Sequence, residues 1–171
     1  MFDKQVHKDI RTAIKDGNVE KVAALLDSDK DLLNVMTPFG TWLHVAASFG
    51  QFDIIKRLLE LGADLNACGG TAGGGPLHRA ASDGHLEVVR YLLGQGANLD
   101  MSEPERNPLF GAIHGGHREI VTALIDAGID TSVRYTGESM KDMDAFAFAH
   151  ERGELDIEHL LLANRGHAPR R

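Results

Sequence analysis

Apolar residues along this chain fall into short blocks at helical spacing. Ile54, Ile55, Leu58 and Leu59 form one block, and Val88, Val89, Leu92 and Leu93 another; each lays one apolar stripe along a 3.6-residue helix. The pattern predicts helices near residues 19–27, 53–61, 87–94, 119–127 and 156–164. A shorter helical pattern precedes each, near 5–15, 41–49, 76–83, 107–115 and 144–152. A glycine separates the members of every pair, at Gly17, Gly50, Gly84, Gly116 and Gly153, with separations of 33, 34, 32 and 37 residues. Seven residues before each glycine the chain is apolar (Ile10, Leu43, Leu77, Leu109, Phe146), and three further on stands an alanine: Ala13, Ala46, Ala80, Ala112 and Ala149. A small residue at one fixed place in five helices lets neighbouring helices approach closely. Periods of this length mark a solenoid or similar array. No helix here could bury its stripe alone, whereas stacked neighbours make one continuous core. Long β-branched alternation is missing, so the predicted class is all-α.

The most regular unit runs from Gly75 to Asp100. It contains Pro76-Leu77-His78-Arg79-Ala80-Ala81, then Gly84-His85-Leu86-Glu87-Val88-Val89, and leaves through Gly96-Ala97-Asn98. The unit before it has Leu43-His44-Val45-Ala46-Ala47, Gly50 and Asp53-Ile54-Ile55, then Gly62-Ala63-Asp64; the unit after it has Pro108-Leu109-Phe110-Gly111-Ala112 and Gly116-His117-Arg118-Glu119-Ile120-Val121. These words and their spacing resemble the ankyrin repeat, with its Thr-Pro-Leu-His-x-Ala signature and Gly-His turn. The resemblance covers residues 4 to 164. It implies an ankyrin-type solenoid of about five helix-turn-helix repeats joined by hairpin-like finger loops beside a concave face. The implied boundaries are one domain over 1–164, with repeats at 4–34, 35–67, 68–100, 101–133 and 134–164, followed by a disordered tail over 165–171. The first and fifth repeats lose the Thr-Pro-Leu-His word, as suits ends that present a polar face to water.

Charge narrows the range of partners. Asp and Glu number 25 against 18 Lys and Arg, a net charge of −7. Nucleic acid and anionic membranes want clustered Lys and Arg, so neither is expected, and an acidic surface suits a basic protein. The one cysteine, Cys68, cannot form an internal disulfide. No signal-peptide pattern opens the chain and no apolar run is of membrane-spanning length, so the expected location is the cytoplasm.

Candidate chemistry is sparse. The glycine-rich connection Ala67 to Gly75 has neither the preceding strand nor the Lys-Ser/Thr pair of a phosphate-binding loop. Nine histidines are present, but no zinc spacing occurs, and His114 with His117 lacks a third ligand. Ser48, His44 and Asp53 have no nucleophile-elbow sequence around them. No cofactor, metal or catalytic residue is therefore expected. The resemblance implies structural work for His44 and His78, hydrogen-bonding the loop of their own or the next repeat, and for His85 and His117 in the Gly-His turns.

Binding is the remaining expectation. The resemblance implies that the two residues before each turn glycine face the concave side, which brings forward Phe49, Asp83 and His114. Phe49 stands out because its equivalents are polar or small, and an exposed aromatic is a typical anchor. Phe39 and Trp42 lie close by, Trp42 where the family prefers proline, so Trp42 reads either as a contact or as a buried loop-packing residue. Arg79, the acidic connection with Glu103 and Glu105, and the long connection with Tyr135 and Asp142 complete the candidate surface. The words Phe39-Gly40-Thr41-Trp42-Leu43-His44, Asn107-Pro108-Leu109-Phe110 and Met143-Asp144-Ala145-Phe146-Ala147 further resemble small, free-standing bacterial ankyrin proteins that act as cytoplasmic immunity proteins to secreted toxins. That resemblance implies an immunity protein, monomeric when free, that blocks a basic toxin effector domain. The alternative is an interaction scaffold or regulatory adaptor for another protein.

Overall fold

The computed structural model describes residues 4–164, apart from 28, 72, 138 and 139. The tail over 165–171 lies outside the described residues. Ten α-helices are present among them: α1 (Lys4–Lys15), α2 (Val19–Asp27), α3 (Trp42–Ser48), α4 (Phe52–Glu60), α5 (Pro76–Ser82), α6 (Leu86–Gly94), α7 (Pro108–His114), α8 (Arg118–Asp126), α9 (Ala145–Arg152) and α10 (Leu155–Asn164). A short 3-10 turn spans Lys30–Leu32. The only β pairing among the described residues is two isolated bridges, Thr37 with Gly40 and Tyr135 with Met143, each inside a connecting finger. The fold is an all-α repeat solenoid.

Each pair is closed by the same local chemistry. The carbonyl of the recurring alanine accepts the N–H of the residue after the turn glycine, from Asn18 to Ala13, Gln51 to Ala46, His85 to Ala80, His117 to Ala112 and Glu154 to Ala149, at 2.9–3.0 Å. This is a helix-terminating bond that satisfies an otherwise orphaned carbonyl. The glycine must be left-handed for it: φ is +64° at Gly50 and +86° at Gly84. A Cβ there would also strike the next repeat, 2.5 Å from the His85 ring at Gly50 and 2.7 Å from the His117 ring at Gly84. One residue type thus serves the turn and the stacking together. The alanines themselves are fully buried.

Those turn side chains tie repeats to one another. His85 Nε2 donates to the Ser48 carbonyl (2.8 Å), and His117 Nε2 to the Ser82 carbonyl (3.1 Å). Gln51 Nε2 does the same to Lys15 (3.1 Å). In the fifth repeat the position is Glu154, which has no donor as a carboxylate, and Arg152 Nη2 supplies a long bond of 3.4 Å to the His114 carbonyl instead. The core runs unbroken from Ile10 and Ile14 through Leu58, Leu92 and Leu124 to Ile157 and Leu161. First helices stack on first helices, α5 between α3 and α7, and second helices form the outer layer.

The fingers pack on each other as well. The Asp64 N–H donates to Asn34 Oδ1 (3.0 Å), and the Asn98 N–H to Asn66 Oδ1 (2.8 Å), one repeat apart in each case. In the glycine-rich connection, Thr71 donates twice to the Pro38 carbonyl, through its N–H and its hydroxyl, both at 3.0 Å. A Cβ on Gly70 would lie 2.7 Å from the Gly40 nitrogen. Close backbone approach, with no ligand, accounts for that glycine.

Candidate functional site

The helix-start words differ from repeat to repeat, and their polar groups are met differently in each. In α3 the word keeps its threonine and histidine: His44 is fully buried, its Nε2 donates to the Gly74 carbonyl (3.0 Å), and its Nδ1 accepts from the Thr41 N–H (3.1 Å) beside the Thr41 hydroxyl (2.9 Å). A carbonyl can only accept, so Nε2 carries the proton. Burial pushes the His44 pKa down to about 4, against the opposing pull of the Gly74 bond. The expected structural role holds for this residue.

His78 differs from that expectation. Gly75 stands where Thr41 stands one repeat earlier, so no hydroxyl meets the ring. Its Nδ1 is buried without a hydrogen-bond partner among the described residues. Burial first, and then the neighbouring Arg79 cation, lower its pKa to about 4. In α7 the histidine is replaced by Phe110, and Asn107 with Tyr135 takes over the polar relay. Asn107 Oδ1 caps the helix by accepting from the Leu109 N–H (2.9 Å), its Nδ2 donates to the Tyr135 hydroxyl (2.9 Å), and that hydroxyl donates to the Met101 carbonyl (2.8 Å).

The sequence-derived candidates separate into two groups in space. Phe39 and Phe49 are accessible, at 52 % and 43 % exposure. Phe39 lies at the tip of the first finger, with the Arg11 guanidinium 4.2 Å from its ring centre. Phe49 caps the end of α3, next to Ser48, whose hydroxyl donates to Asp83. Trp42 and Tyr135 are interior, at 1 % and 9 % exposure. Trp42 donates from Nε1 to the Leu32 carbonyl (2.8 Å) and meets the His7 ring edge-on; no partner can reach it as the surface stands. For Trp42, the buried loop-packing alternative is the one that matches this placement. Tyr135 is occupied by the relay and packs edge-on against Phe110 at 4.9 Å.

The charged candidates also divide. Glu103 pairs with Arg106 (3.4 Å), and Asp142 with Arg134 (2.7 Å). Glu105 is exposed and makes no hydrogen bond or ion pair among the described residues. Arg79 is half-buried on α5, its Nε unpartnered, and His114 is exposed at the end of α7.

A hollow of about 270 Å³ opens among α5, α7, α9, the third finger (the connection from α6 to α7) and Met140 of the fourth (from α8 to α9), bounded by His78, Ser82, Glu105, Phe110, Gly111 and Phe148. His114 lines it too, with Glu105, which is nine residues away in sequence. Phe110 and Phe148 stack at 4.8 Å, 20° from parallel. Gly111 keeps the space open: a Cβ there would lie 3.1 Å from the His78 ring and 3.3 Å from the Ser82 Cβ. The sequence reading overlooked Phe110, Gly111 and Phe148. Their signals were a phenylalanine in the histidine slot and a glycine inside a helix, where it costs stability and needs a spatial reason.

Catalytic arrangements do not assemble from the residues considered. Ser48 donates to Asp83, both nitrogens of His44 are engaged in the fold, and Asp53 pairs with Lys56 (2.7 Å). Burial, followed by the Asp100 charge, pushes the Cys68 thiol up, which disfavours the thiolate. Among the described residues, no three His, Cys, Asp or Glu side chains are placed to hold a metal ion. Among the described residues, no helix is long and apolar enough to cross a membrane.

Comparison with known families agrees with the geometry. Residues 68–135 match a family model described as ankyrin repeats (3 copies), and residues 43–82 match one described as ankyrin repeats (many copies). Together the two matches run from 43 to 135, more than half of the 171 residues. A comparison with curated proteins found no match.

Proposed function

The chain belongs to the ankyrin-repeat family and so is a protein–protein interaction module; from that premise we propose that it is a non-catalytic cytoplasmic immunity protein that occludes a basic toxin domain through its concave face and fingers. The observation that carries the reading is the pair of exposed aromatics, Phe39 and Phe49, in a chain that also exposes the Glu105 carboxylate with no ion pair among the described residues. Phe39 and Phe49 supply apolar anchor area. Glu105 and Asp83 supply charge that steers a basic partner and fixes its register. The net charge of −7 acts in the same direction.

Affinity capture from the native host, followed by mass spectrometry, tests the partner's identity. We expect a basic effector domain whose activity falls on binding. A captured protein with no toxic activity would leave the scaffold reading in its place. With that partner, combined Phe49→Ala and Asp83→Lys should weaken binding by more than about 2 kcal/mol. Unchanged affinity, with helical circular dichroism intact, would put the site elsewhere.

A further inference from the structure

We propose that the hollow between α5, α7, α9 and the third finger receives one arginine side chain of the protein partner. The inference rests on the reading of this face as a protein-binding surface and names what one pocket of it takes.

Size points to a single side chain. At about 270 Å³, the hollow is smaller than the roughly 300–1,000 Å³ of typical small-molecule sites. Its walls are apolar where a long stem would lie: Pro104 of the third finger and Met140 of the fourth on one side, Phe110 and Phe148 on the helix side. Methylene stems of basic residues bury well against such walls while the charged head reaches a polar end.

Charge selects the head group. Among the described residues that line the hollow, Glu105 is the one carboxylate, and it makes no hydrogen bond or ion pair with another described residue. An apolar occupant would strip water from that carboxylate and leave it unpaired, which is costly, whereas a cation compensates it. His78 does not oppose a cation, because burial keeps the ring neutral at neutral pH. The nearby cations stand outside the lining: Arg79 is next to His78 in the chain and acts on that ring by its charge, Arg106 is paired with Glu103, and the Arg152 guanidinium sits 5.7 Å from the Phe148 ring centre. Two acceptors border the hollow, the Glu105 carboxylate and the Ser82 hydroxyl. A guanidinium presents five donors in a fixed plane and can serve both of them at once, where an ammonium is a single compact charge.

The test uses the full chain, isotopically labelled, titrated by NMR with three capped tripeptides: glycine-arginine-glycine, glycine-lysine-glycine and glycine-norleucine-glycine. We expect saturable shifts at the Ser82 and Gly111 amides, with the arginine peptide bound about fivefold more tightly than the norleucine peptide. Glu105→Gln, at a solvent-facing position with no internal partner, should remove that preference and leave the other amides in place. Three results would overturn the inference: no saturable shift at these amides, equal binding of arginine and norleucine peptides, or a preference that survives Glu105→Gln. A lysine peptide equal to the arginine peptide would overturn the choice of arginine. Because the probes are peptides, failure here leaves the toxin reading to its own capture experiment, and failure of that capture leaves these affinities unchanged.

Discussion

His44 and His78 occupy the same place in consecutive repeats, yet their surroundings make them different residues. His44 has both nitrogens engaged, and the bond it donates to Gly74 fastens one repeat to the next. His78 is partly buried, with its Nδ1 enclosed and without a hydrogen-bond partner among the described residues. Both pKa values fall from 6.5 to about 4, for the same first cause, desolvation of the charged form. The sign of the pH dependence follows. Between 6.5 and 4 the unfolded chain binds protons that the folded chain refuses, so stability is complete above the unfolded value and drains away as pH falls. By about pH 5 the loss approaches roughly 2 kcal/mol per histidine. Urea denaturation at neutral pH and about pH 5 measures it. His78→Phe, copying Phe110 of the next repeat, should remove about half of the loss. A stability flat over that range would contradict the buried, neutral state of both rings.

At the scale of the helix, capping separates the repeats more than apolar pattern does. Thr41, Gly75, Asn107 and Asp144 each hold the N-cap position. Asn107 and Asp144 accept from helix N–H groups, at 2.9 and 2.8 Å, and Thr41 lies within reach of its histidine. Gly75 offers nothing, although its backbone (φ −84°, ψ 178°) is one that threonine adopts without strain, and a Cβ would meet only the Ala67 carbonyl at 3.5 Å. Gly75→Thr is therefore expected to raise the stability of the chain by about 1 kcal/mol, through the cap, a partner for His78 Nδ1 and a less flexible unfolded state. A higher urea midpoint at unchanged slope checks this; a lower midpoint would mean that the ring cannot turn to meet the hydroxyl. The helix words were legible in the sequence because glycine turns, alanine spacing and caps act within a few residues. The fate of Trp42 was not. Whether an indole in the proline slot points out or in depends on Leu32, ten residues upstream, whose carbonyl takes its N–H.

Across the whole molecule, each inner repeat is buried by two neighbours and each end repeat by one. α5 packs on both α3 and α7, whereas α10 leaves Leu155 and Leu162 in contact with solvent. Stability in such an array is close to a sum of repeat and interface contributions, so opening should begin at the ends. Native-state hydrogen exchange is expected to show the greatest protection in α5 and α7, with opening free energies lower by about 2 kcal/mol or more in α10. Uniform protection from α1 to α10 would show instead a single cooperative unit. The surface charge is shaped at this scale too. Pairing of Glu103 with Arg106 leaves Glu105 as the third-finger acid without a hydrogen bond or ion pair among the described residues.

The period, the all-α class, the turn glycines and the buried alanines are consequences of local sequence. Left-handed backbone, helical spacing and helix-terminating bonds are satisfied within a few residues of the position that needs them. Which aromatics stay exposed, which acids remain unpaired and where space is left were decided by tertiary structure. Phe39 and Trp42 lie three residues apart, one outside and one inside. The hollow draws its lining from His78, Glu105 and Phe148, contributed by successive repeats. Exposure and pairing depend on atoms one repeat away, and the identity of a residue alone carries no record of them.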